Sequence, residues 1–97
     1  MAYALLAHPV AQREMDALPP DIAEGIRRVL RAFAGNPRSD RFDVKPLRAI
    51  KGEPPALRLR VGEYRDILRV YPDGQEIRIA RIGHRKNVYR GITGIGD

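Results

Sequence analysis

Three runs of alternating apolar residues between positions 57 and 82, separated by two tight-turn signals, restrict the fold of this chain more than any other feature. Leu57, Leu59 and Val61 alternate with Arg58 and Arg60; a second run spans Tyr64 to Tyr71 and a third Glu76 to Ile82. Gly62-Glu63 and Pro72-Asp73-Gly74 separate them. Turns this short join antiparallel neighbours, because a parallel crossover needs a dozen residues or more. Successive strand side chains point to opposite faces, so the alternating arginines share one face and the apolar residues the other.

That apolar face needs a cover, and the first half of the chain supplies it. Residues 2–7 read as a short apolar strand, and Pro9 suits the first turn of a helix, where its missing N–H costs nothing. His8 sits where that helix opens, and Ala11, Met15 and Leu18 follow helical spacing up to Pro19-Pro20. A second helix starts at Asp21. Ile22, Ile26, Val29, Leu30 and Phe33 place one apolar stripe along it, and Gly35-Asn36-Pro37 ends it. Residues 36–56 hold five proline or glycine breakers and read as irregular, and Lys45, Arg48 and Lys51 stud them. The expected fold class is α+β in the order β-α-α-β-β-β. An N-terminal helical hairpin packs on one face of a mainly antiparallel sheet, and the arginine face is left open. Residues 1–90 form a single domain, and the glycines from Gly91 onward read as a flexible tail over 91–97.

Composition narrows the function classes. A chain of 97 residues without cysteine has no disulfide, zinc knuckle or thiol nucleophile, and histidines at 8 and 84 give no metal-ligand spacing. No cofactor or metal is expected. No apolar run approaches a membrane span, and the first eight residues lack the basic start of a secretory signal, so the expected location is cytoplasmic with no membrane partner. The net charge is +6, and residues 1–40 hold five cations against five acids, so the whole excess falls in residues 41–97. A one-sided excess suits an anionic partner, although a solvated basic surface explains charge alone equally well.

Two stretches carry the chemistry: Leu59-Arg60-Val61-Gly62-Glu63-Tyr64-Arg65, and Gly83-His84-Arg85-Lys86-Asn87-Val88-Tyr89-Arg90. Together, after a helical hairpin, they resemble the RelE/ParE superfamily of toxins from type II toxin–antitoxin systems, and the tyrosine a few residues past Arg85 is similar to the RelE-like branch. The resemblance covers residues 2–90. It implies a RelE-like fold and a ribosome-dependent endoribonuclease that inhibits translation by cleaving mRNA in the ribosomal A site. It also implies neutralisation by a cognate antitoxin in a hetero-oligomer. By resemblance, Arg65 and Arg85 stabilise the scissile phosphate and Tyr89 orients or activates the reacting nucleotide. Arg58 matches one of two strand lysines in the best-known members; Ala56 stands where the other would be. Two other readings are a ParE-like gyrase inhibitor, which needs no nuclease residues, and a non-catalytic RNA-binding module.

RNA cleavage by its own 2′-hydroxyl needs a proton acceptor, cations at the phosphorane and a proton donor to the leaving 5′ oxygen, and preorganised donors at developing charge usually contribute most. Arg65 and Arg85 fit that role. Their alternative is a surface ion pair with Glu63 or Asp66. Alanine at either position is expected to abolish toxicity while leaving the fold intact. His84 is a candidate acid or base, since imidazole titrates near neutrality, or else a polar residue at a strand end. Tyr89 is a candidate for base stacking, proton donation or simple packing under the helices. Arg58, Arg60, Lys45, Arg48, Lys51, Lys86 and Arg90 form the candidate RNA-binding set, which positions phosphates without reading bases.

Overall fold

A computed structural model describes residues 2–91. It places β1 at Ala4–Ala7, α1 at Pro9–Asp16, α2 at Pro20–Gly35, β2 at Val44–Pro46, β3 at Leu57–Val61, β4 at Tyr64–Tyr71 and β5 at Glu76–His84. The strand order is β1-β5-β4-β3-β2; β1 runs parallel to β5 and every other pairing is antiparallel. Pro9 sits in the first turn of α1, and the His8 ring nitrogen Nδ1 caps that helix by accepting from Val10 N at 3.1 Å.

One face of the sheet carries the helices. Ala23, Ile26, Leu30, Phe33 and Ala34 of α2 are buried against Leu59, Leu68, Ile77, Ile79 and Ile82. Strict alternation cannot put Ile77, Ile79 and Ile82 on one face. The register slips between Ile67 and Leu68, which face Arg81 and Ile79, leaving Ala80 as the extra residue of a bulge. The bulge shifts the phase of β5 by one and brings Ile82 back to the core side. β1 pairs only as far as Ile79, and beyond it the Glu14 carboxylate takes over the strand edge. Glu14 accepts from Ile82 N at 3.0 Å and grips Arg81 through Nε and Nη2. A charged side chain on the edge also discourages pairing with another chain.

Two expectations change. The stretch 36–56 contains a strand: Val44, Lys45 and Pro46 pair with Leu59, Arg58 and Leu57. Three residues including a proline give no periodic signal, and a proline is tolerated there because β2 is an edge strand. The arginine face is also not fully open. Leu47, Ala56, Ile67 and Val88 form a second small core on it, with Ile50 and Tyr89 packed alongside. The loop 47–56 is fastened to the sheet by Arg69, whose guanidinium donates to Pro54 O and, at 2.8 Å, to Lys51 O. Residues 92–97, most of the expected tail, lie outside the described residues.

Candidate RNA-cleavage site

The site grows from the β3–β4 turn. Gly62 adopts φ of 59°, a left-handed conformation that glycine takes at little cost, and this lets two residues reverse the chain. The turn then faces the end of β5, with Tyr64 opposite His84 and Arg65 opposite Gly83. After His84 the chain folds into a single tight turn: Asn87 N and Val88 N both donate to His84 O, at 2.8 and 2.9 Å. That turn drops Val88 onto Gly83. A Cβ at Gly83 would lie 3.3 Å from the Val88 Cβ, and Val88 is only 1% exposed. The turn and Tyr89 therefore lie over the same face and the same end of the sheet as Arg65. We expect Gly83→Ala to push this turn away and lower stability by about 1–3 kcal/mol. A thermal melt of the variant checks this; an unchanged midpoint would mean that the turn yields freely.

Arg65 is 1% exposed, and its Nη1 donates to Gly62 O at 2.9 Å and Tyr64 O at 3.0 Å. It is thus a buried strut of the turn, where the sequence reading expects an open cation. The reason is that a guanidinium carries several donors in a fixed fork, which lets one side chain serve carbonyls on and beside a tight turn. Arg85 is exposed. Its backbone N donates to Glu63 O at 2.9 Å, and its Nε to Glu63 Oε2 at 2.5 Å. Of the two ion pairs raised as alternatives, the one to Glu63 forms at Arg85. That bond and the charge of Arg85 hold the Glu63 carboxyl below the usual carboxylate range.

His84 lies on the face opposite Arg65. Its ring meets Tyr64 edge-on at 5.5 Å, and Nδ1 accepts from Lys86 N at 3.2 Å, so it orders the turn that carries Arg85. Tyr89 is half-buried in the second core, on the side away from the helices.

Arg58 is buried at 6% exposure and paired with Asp43 at 2.6 Å; Arg60 is exposed and lies 3.8 Å from the same carboxylate. Asp43 thus takes up part of the cationic row, and nothing in the sequence spacing signals it. Lys45, Arg48, Lys51, Lys86 and Arg90 are exposed, on β2 and on the two segments that roof the arginine face. Arg90 Nη2 also donates to Asn87 Oδ1 at 2.9 Å, which braces the turn.

Asp66 has no role in this arrangement. It points to the helix side between Leu59 and Ile82, is 0% exposed, and neither of its oxygens has a hydrogen-bond partner among the described residues. Burial pushes its carboxyl up to about 7. Among the described residues no group of three His, Cys, Asp or Glu is placed to hold a metal ion, and no helix is long and apolar enough to cross a membrane. A cavity of about 820 Å³ forms a groove on the arginine face toward β1, with Leu6, Ile50, Ile67 and Ile79 among its lining residues and Arg69, Arg78 and Arg81 also on its wall. None of Arg65, Arg85 and Tyr89 lines it.

The profile of the ParE toxin of the type II toxin–antitoxin system parDE matches residues 5–89. No curated protein matches the chain by sequence. Among solved structures, the archaeal RelE–RelB complex from Pyrococcus horikoshii aligns at a TM-score of 0.73 and 23% identity, covering 91% of this chain and all of the other. The RelBE2 toxin–antitoxin complex from Mycobacterium tuberculosis aligns at 0.69 and 25% identity, covering 88% of this chain and 100% of that one. The isolated RelE toxin of E. coli aligns at 0.67 and 19% identity, over 86% of this chain and 84% of the other. The chain belongs to the ParE toxin family of type II toxin–antitoxin systems, within the RelE/ParE superfamily, and it has the RelE-like fold.

Proposed function

We propose that this protein is a toxin that cleaves mRNA on the ribosome and is held inactive by a cognate antitoxin. The observation that supports this most is the β3–β4 turn. It anchors both candidate phosphate-binding arginines, Arg65 from beneath and Arg85 from the side, at the end of the sheet over which Tyr89 is folded. In this reading the 2′-oxygen attacks the neighbouring phosphorus and the bond to the 5′ oxygen breaks. The products are a cyclic phosphate and a free 5′-hydroxyl. Arg85 meets the charge that builds on the phosphate oxygens, and Arg65 adds buried positive charge beneath it. Tyr89 orients the nucleotide beside the break. The exposed Lys45, Arg48, Lys51, Lys86 and Arg90, with Arg60, hold the RNA backbone. No metal enters the mechanism, because cations of the protein carry the phosphate charge. The apolar groove, which includes the exposed Leu6, suits an antitoxin segment that is apolar on one side and acidic on the other.

The ribosome supplies the alignment. Among the described residues no side chain is positioned as a strong base, and alignment of hydroxyl, phosphate and leaving oxygen can be worth roughly 7–11 kcal/mol at best. We therefore expect rapid cutting of mRNA on programmed ribosomes, little cutting of naked mRNA, and no effect of EDTA while the ribosomes stay intact. Efficient cleavage without ribosomes would sink this reading. The ParE description of the matching family favours a second reading, inhibition of DNA gyrase. Expression in growing cells separates the two: translation fails first in one case, and plasmid supercoiling in the other.

A further inference from the structure

We propose that Glu63 is a positioning residue for Arg85, presetting its guanidinium so that the two terminal nitrogens face the phosphate. This rests on the reading of Arg85 as the phosphate-stabilising group. The geometry is specific. Glu63 holds Arg85 twice, by its backbone carbonyl on Arg85 N at 2.9 Å and by Oε2 on Arg85 Nε at 2.5 Å. The carboxylate engages only Nε, and among the described residues nothing takes the terminal nitrogens of Arg85. The pair of terminal N–H groups that matches a phosphate edge therefore stays available, while the stem is fixed. Both side chains are well exposed, at 47% for Arg85 and 62% for Glu63, so packing does not hold the arginine in place. A long exposed arginine samples many rotamers, and fixing it before substrate arrives removes an ordering cost from the reaction. Glu63 stays ionised across the working pH range, since its carboxyl lies below the usual range.

The residue sits in a two-residue turn whose other member, Gly62, accepts from Arg65. One turn thus sets both arginines, and Glu63 contributes the only side chain. A carboxylate beside a phosphate site opposes RNA binding by its charge. Its hydrogen bond to Nε leaves the terminal pair to meet the phosphate.

The test uses single-turnover cleavage of mRNA on programmed ribosomes with the full chain. Glu63→Ala should lower the rate roughly ten- to a hundredfold, with little change in the toxin concentration for half-maximal rate. Glu63→Gln keeps an oxygen for Nε and should recover most of the loss. In an Arg85→Ala background, Glu63→Ala should cost nothing further, because the residue acts through Arg85. The thermal midpoint of each variant shows that the fold persists. If Glu63→Ala cleaves at the wild-type rate or faster beside an inactive Arg85→Ala, this inference is overturned and the site assignment stands. A full further loss in the Arg85→Ala background would overturn it equally. Wild-type cleavage by Arg85→Ala itself would remove the site assignment, and this inference with it.

Discussion

The protein should lose stability as the pH rises from about 5 to about 8, and Asp66→Leu should abolish most of that loss. A carboxyl with an ordinary value of 3.8 is pushed up to about 7 in the fold, by burial among apolar side chains. Its folded form holds a proton more tightly than its unfolded form does. The stability tied to that proton is complete below 3.8 and is lost progressively until the pH passes about 7. Three pH units correspond to about 4 kcal/mol, most of it above pH 5. This slope is opposite to that of Glu63, whose lowered value keeps stability at high pH and loses it in acid. Glu63 is exposed, so Asp66 dominates the profile. Leucine at this position would meet Leu59 and Ile82 and should raise stability at about pH 8 by roughly 2–4 kcal/mol. Denaturant melts at several pH values measure both effects. If wild type and variant showed the same flat profile, Asp66 would have to be satisfied in the fold by a partner.

The two arginines should part company when each is replaced by alanine. Arg85→Ala should reduce ribosomal mRNA cleavage about a hundred- to a thousandfold and leave the melting midpoint near wild type, because the side chain is half exposed and its one side-chain hydrogen bond among the described residues goes to Glu63. Arg65→Ala should lose activity and also about 2–4 kcal/mol of stability. It empties a site that is 1% exposed and strips the Gly62 and Tyr64 carbonyls of a donor. The sequence reading treats both as replaceable surface cations, and burial corrects this for Arg65. Arg65→Lys should not restore the fold, since one ammonium cannot span the same carbonyls as a planar fork. Parallel melts and cleavage assays separate the two roles. If Arg65→Ala melted like wild type, the turn would have to be held by other means.

Much of the architecture was legible because it rests on local rules. The meander follows from Gly62-Glu63 and Pro72-Asp73-Gly74 between alternating runs, and the helix cover from the stripe of Ile26, Leu30 and Phe33. The motif residues Arg65, Arg85 and Tyr89 were legible as a set, and their gathering at one end of the sheet follows from pairing Tyr64 and Arg65 with His84 and Gly83. Periodicity could not show the bulge at Ala80 or the short β2, since a phase slip and a three-residue edge strand leave no repeating pattern.

What the tertiary structure alone decided is which charges are free. From the sequence, Arg65 and Arg85 are candidate phosphate stabilisers and Arg58 and Arg60 candidate RNA-binding cations, but all four read as open charges. In the fold, Arg58 is tied to Asp43, which Arg60 also approaches, Arg65 is buried under a turn, and Arg85 is bonded through Nε to Glu63. Asp66 falls on the core side of β4 by the same alternation that puts Arg65 on the other. Partners such as Asp43 and Arg58 are 15 residues apart, and Glu63 and Arg85 are 22 apart. Alternation assigns a side chain to a face, but its ionisation and reach depend on groups brought alongside by the chain's return, and those contacts exist only once the sheet has closed.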